Sequence, residues 1–163
     1  MARIKKFVWL LLFGSLWGIS EVFAGGAVYG EMVPRASVYL SVWAVFILAV
    51  ARAMFNKPGS STAISLISAL YKLVNASPFF CHIYGILFLG MAFDLAASLL
   101  MKDERRVSHR SVLAGIAGVY GGHAFFALFV TYIVRYKYWA GEGLPKVLDH
   151  IFVNGSLTAI FSL

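Results

Sequence analysis

Apolar and polar positions divide the chain into six apolar stretches, at about 7 to 29, 36 to 55, 60 to 75, 79 to 101, 111 to 134 and 147 to 163, separated by short polar or charged breaks. A helix that crosses the hydrocarbon core of a bilayer needs about 20 residues. The pattern therefore predicts an all-α polytopic membrane protein, a compact bundle of about six transmembrane helices in one integral membrane domain. The third and sixth stretches are short. The third is also rich in Ser and Thr, so to span it must tilt, pack against neighbours or lie where the bilayer is thin. Pro34, Pro58 with Gly59, Pro78 and Pro145 all fall in the breaks, where a missing amide hydrogen does least harm.

Composition narrows the class. The 163 residues are 61% apolar and 13% charged, with a mean hydropathy of +0.82, too little polar surface to coat a water-soluble globule. The net charge of +7 does not read as a nucleic-acid surface, because the basic residues sit in the breaks rather than in one patch interleaved with exposed aromatics. It reads as loop charge, and its distribution orients the chain. With the N-terminus inside, the inner side holds Arg3, Lys5, Lys6, Arg52, Lys57, Lys102, Arg105, Arg106 and Arg110, against Arg35, Lys72, Arg135, Lys137 and Lys146 outside. The excess predicts a multi-pass cell-membrane protein with both termini cytoplasmic. The first stretch also has the look of a signal peptide, with small residues at Ala24 and Gly25, but its apolar run continues past Glu21 to Tyr29, long enough to span.

Ionisable and amide groups within spanning segments are expensive, so each is a candidate for function. Glu21, Asn75, His82, His123 and Asn154 all fall at middle to outer depth, where a pocket loaded from outside would sit. Asp94 falls deeper, on a face shared with Gly90 and Ala97, and is expected to make a structural hydrogen bond to Arg52 or to a loop near the inner surface. The stretch Tyr136 to Pro145 reads as an outer loop whose Tyr138 and Trp139 either join an interfacial belt or close over a flat ligand. Gly14 and Gly18 form a small-xxx-small stripe extended by Gly25, and Gly118 and Gly122 repeat the device. Such stripes serve either packing within one chain or docking of a partner. Cys81 is the only cysteine, which rules out an intrachain disulfide and a Cys-based zinc site. No HExxH, GxSxG, GxxxxGK[ST] or strand-borne GxGxxG is present, so no known catalytic or nucleotide-binding spacing is available.

The plan of six short helices, the first-helix stripe and the closing pattern from His123 through Tyr138 and Trp139 to Val153-Asn154-Gly155-Ser156-Leu157-Thr158-Ala159 resemble the substrate-binding (S) component of energy-coupling factor (ECF) vitamin transporters, thiamine-type members above all. The resemblance in plan covers nearly the whole chain, and its specific part covers the last 40 or so residues. It implies a substrate-capture subunit that binds a small vitamin-like molecule or polar heterocycle. Glu21, His123, Asn154, Trp139, Tyr138, Asn75 and His82 would form the site, with Gly14 and Gly18 facing a transmembrane coupling subunit and separate ATPase subunits supplying the energy. It implies no cofactor. The Met-His start of nickel and cobalt members is replaced here by Met1-Ala2-Arg3, which argues against a metal substrate. Two other readings stand beside it: a small structural or assembly protein that oligomerises through its glycine stripes, and an intramembrane enzyme using Glu21, His123 or Asp94 as acid or base.

Overall fold

A computed structural model describes residues 2–74, 80–101 and 109–162. Asn75 and the basic stretch 102–108 lie outside the described residues. The described residues are about 90% helical. Its elements are α1 (Ala2–Gly30), α2 (Ala36–Phe55), α3 (Ser60–Lys72), α4 (Phe80–Leu100), α5 (His109–Leu128), α6 (Lys137–Leu148) and α7 (Gly155–Ser162). A π-helical stretch, Phe129–Ile133, continues α5, and another, Asp149–Asn154, joins α6 to α7. The described residues form an all-α bundle of six helical rods, the last of them broken at Gly143.

Four segments are long and apolar enough to cross a membrane: Ile4–Val28, Ala36–Phe55, Phe80–Leu100 and His109–Ile133. α3, with 13 residues, reaches only about 20 Å at 1.5 Å per residue, short of a hydrocarbon core of about 30 Å. The outer surface has the character of a lipid-facing one, since Phe7, Phe23, Phe46, Leu70, Leu99, Phe125 and Phe161 are each more than half exposed. Apolar exposure on that scale is not tolerated in water.

The breaks form where residues take conformations that end helices. α2 stops at Asn56, held left-handed at φ 39° with its N–H bonded to the Arg52 carbonyl, and the Pro58-Gly59 turn leads into α3. The last rod departs from the expected outer loop: 137–142 is already helical, and the break falls at Gly143 (φ 61°, ψ −142°), a conformation open to glycine. Pro145 then sits in the first turn of the continuing helix, where its lost N–H would be unpaired anyway.

Glycines set the closest approaches. A Cβ on Gly14 would lie 2.6 Å from the Ile67 Cβ, and one on Gly18 2.6 Å from the Tyr71 ring. The Gly14 and Gly18 stripe thus faces α3 of the same chain and is filled by it, the packing alternative of the two that the sequence left open. Gly118 and Gly122 likewise rest on the Phe93 and Leu89 backbones of α4. The seam with α3 leaves α1 presenting Leu12, Leu16, Ile19 and Phe23 outward.

At the end of the bundle where α1 and α5 begin, Arg52 and Asp94 form a buried ion pair at 2.9 Å. The other Asp94 carboxylate oxygen accepts from the Thr62 amide at 3.0 Å and its hydroxyl at 2.9 Å. Asp94 therefore ties α2, α4 and the first turn of α3 together, which is the structural role the sequence suggests for it.

Candidate functional site

The opposite end of the bundle holds a cavity of about 80 Å³. Trp17 and Glu21 reach it from α1, Ser37 and Ser41 from α2, Cys81 and His82 from α4, His123 and Phe126 from α5, and His150 from the last rod. An apolar cavity of about 150 Å³ is enough for a benzene, so the space has room for a few waters or a ligand of a few heavy atoms. A vitamin-sized molecule needs the walls to part.

Each polar group is placed by its own helix. Glu21 lies one turn beyond Trp17, whose indole N–H donates to it at 3.3 Å. Lys72, at the end of α3, reaches in to donate to the Glu21 backbone carbonyl at 2.6 Å and lies 3.6 Å from the carboxylate. Both side chains are more than nine-tenths buried. Lys72 is therefore no exposed loop charge, and the outer count falls accordingly. Glu21 adjoins the Gly14 and Gly18 stripe, where its charge is balanced by the helix that the stripe packs against.

His123 follows Gly122, whose close seat against Leu89 brings α5 hard onto α4. Its Nδ1 is 3.0 Å from Nε2 of His150, and its Nε2 is buried with no partner. Asn154 stands one turn beyond His150. Its amide nitrogen lies 3.1 Å from Nδ1 of His150 and 3.3 Å from the Ser37 hydroxyl, and its carbonyl accepts from Arg35. Arg35 in turn lies 3.7 Å from Asp149 at the surface. Both His150 and Asn154 belong to the π-helical stretch, whose wider turn is a recurrent feature of functional sites.

Of the residues expected in the site, Glu21, His82 and His123 share the cavity. Asn154 stands behind His150 and Ser37 and meets the cavity only through these two lining residues. Trp139 does not line the space: its ring meets Phe126 and His150 edge-on, each at 5.1 Å between centroids, so it braces both from behind. Tyr138 is exposed, carrying the Lys146 ammonium 4.7 Å above its ring and 3.0 Å from its hydroxyl. That hydroxyl, with Glu142 nearby, raises the pKa of Lys146. Tyr138 is thus a surface residue and no lid over the site.

His150, Ser37 and Ser41 are cavity residues that sequence reasoning did not single out. His150 falls beside Asp149 in the stretch 147 to 163, and its signal is the i, i+4 spacing to Asn154. Although Glu21, Cys81, His82, His123 and His150 share one cavity, no three of the described His, Cys, Asp and Glu side chains are grouped so as to hold a metal ion. What the arrangement offers is hydrogen bonding: a carboxylate on one wall and an unpaired imidazole nitrogen on another. Comparison with family models, curated proteins and solved structures finds no match for this chain.

Proposed function

We propose that this chain is a membrane-embedded capture protein that takes a small polar molecule into the cavity among α1, α2, α4, α5 and the last rod. The observation that carries it is the orphaned Nε2 of His123: a buried donor or acceptor without a partner costs about 1 to 3 kcal/mol, and here it belongs to a cavity wall that also bears Glu21. In its finer form the proposal is the S component of an ECF-type transporter, supplying a vitamin-like solute to a coupling subunit and ATPases. Support for that form is the resemblance of the C-terminal pattern and the six-rod plan. A partner would contact a surface other than the Gly14 and Gly18 face, which α3 occupies. The same occupation leaves the glycine-stripe oligomer without its seam.

Two measurements test the proposal. Protein purified in mild detergent should retain a small molecule identifiable by mass spectrometry. Glu21→Gln and His123→Ala should each weaken its binding by roughly tenfold to a hundredfold, the equivalent of one lost hydrogen-bond partner. Tyr138→Ala should leave it unchanged. Unaltered affinity in both folded cavity variants would remove the site from this cavity.

The topology that goes with this reading places both termini in the cytoplasm and the cavity end outside. In a Cys81→Ser background, an impermeant thiol reagent added to intact cells should modify a cysteine placed at Glu142 and spare one placed at Lys57. Both native side chains are exposed, at opposite ends of the bundle. The reverse labelling pattern would invert the orientation.

A further inference from the structure

The hydrogen-bond chain behind the cavity has a direction. A guanidinium has donors only, so the Asn154 atom that faces Arg35 is the carbonyl oxygen, and the amide nitrogen must face Ser37 and His150. The amide donates, so Nδ1 of His150 accepts and carries no hydrogen. An imidazole lacking that hydrogen is neutral, with its proton on Nε2. Nε2 of His150 therefore donates to Nδ1 of His123, which fixes the proton of His123 on the far side of its ring. That far nitrogen is the buried, partnerless Nε2.

We propose that Arg35, acting through Asn154 and His150, sets the tautomer of His123 so that its buried Nε2 carries an N–H, and that the ligand is a neutral molecule that enters beside this ring with a hydrogen-bond acceptor for His123 and a donor for Glu21. The ligand half rests on the capture reading above; the tautomer half does not. Neutrality follows from the charges already present, since Glu21 is balanced by Lys72 and both rings of the chain are uncharged. A carboxylate ligand would meet Glu21 with like charge, and a cation would meet Lys72 behind it. Arg35 and Asn154 are positioning residues in this scheme. Arg35 itself holds a left-handed backbone at φ 55° at the start of α2, a conformation uncommon for a residue with a Cβ, and its guanidinium is anchored at Asn154 and Asp149.

Asn154→Asp tests the relay without changing its shape. A carboxylate still accepts from Arg35 but has no hydrogen to give. Nδ1 of His150 must then donate, its Nε2 must accept, and the proton of His123 moves to Nδ1. Nitrogen-15 NMR of histidine-labelled protein distinguishes the tautomers, and His82→Gln with His109→Gln leaves only the two rings of interest. The expected result is Nε2–H on both rings in the parent and Nδ1–H on both in Asn154→Asp. Unchanged rings in the variant, or an imidazolium at His150 with His123 unaltered, would overturn the relay. Acetamide, small enough for the cavity and carrying one acceptor and one donor end, is the probe for the ligand half. It should shift the His123 Nε2 resonance saturably in the parent and bind at least tenfold more weakly to Asn154→Asp. Correct tautomers without any acetamide effect would overturn the ligand half and leave the relay standing. Acetamide binding with the opposite tautomers would overturn both halves, since a His123 Nε2 without a hydrogen cannot donate to the ligand's acceptor.

Discussion

Asp94→Ala is expected to destabilise the folded bundle by about 3 to 5 kcal/mol, the cost of stranding a buried charge when its partner is removed. Arg52 and Asp94 are 2% and 6% exposed, too deep for water to replace the lost carboxylate. One Arg52 amino group also donates to the Lys57 carbonyl at 2.6 Å and the other to the Ser98 hydroxyl at 3.0 Å, so the guanidinium is held in place and cannot swing out to solvent. The same substitution strips the first turn of α3 of its acceptor, because the Thr62 amide donates to the Asp94 carboxylate. Asp94→Asn, which keeps one acceptor but loses the charge, should fall between Asp94→Ala and the parent. The double variant Arg52→Leu, Asp94→Leu should be less destabilised than Asp94→Ala, since exchanging both ions for apolar side chains removes the desolvation cost together with the attraction. Thermal unfolding in detergent, read as a double-mutant cycle, decides this. A loss below about 1 kcal/mol for Asp94→Ala would mean that the pair is solvated and does not hold the three helices together.

The Arg52 and Asp94 contact was legible in the sequence because both residues fall at the same depth once the spans are drawn, and a membrane leaves a buried carboxylate few alternatives. The six rods were legible for a similar reason, as the apolar runs outnumber every competing pattern. Three features were not. Apolar periodicity shows which residues share a face but not which neighbour the face meets, so the Gly14 and Gly18 stripe gave no clue that α3 fills it. Lys72 stands at the end of a short segment and counted as a loop charge; only the crossing of α3 behind α1 turns its long side chain inward to Glu21. The π-helical turns add a residue without any change in composition, and they carry His150 and Asn154 into one network. Glu21 and His123 were legible as candidates because each is an isolated polar group in an apolar run. Their meeting at one cavity, and the bracing role of Trp139, depend on how the helices pack and could not be read from spacing.

Gly14→Leu and Gly18→Leu should both destabilise the isolated protein, whereas Gly26→Leu on the same helix should not. A Cβ at position 14 would lie 2.6 Å from the Ile67 Cβ and 3.2 Å from the Ile64 carbonyl oxygen. Neither can swivel away, because the first is bound to the backbone and the second belongs to it. At position 18 the nearest atoms run from the Tyr71 ring back to its Cβ at 2.8 Å, and displacing that ring breaks its 2.9 Å hydrogen bond to Ser15. Overpacking of this kind costs about 1 to 3 kcal/mol and sometimes more. Within a membrane the loss is not offset by apolar burial, since lipid is as apolar as the leucine and helix association there rests on close packing. Gly26 has nothing within 4 Å of its Cβ position, so leucine there meets no neighbour, and helix propensity favours it over glycine by up to about 1 kcal/mol. Detergent unfolding of the three variants separates internal packing from a docking role. If Gly14→Leu and Gly18→Leu unfold like the parent and instead release a co-purifying membrane subunit, the stripe faces that subunit and the contact between α1 and α3 is not the one described.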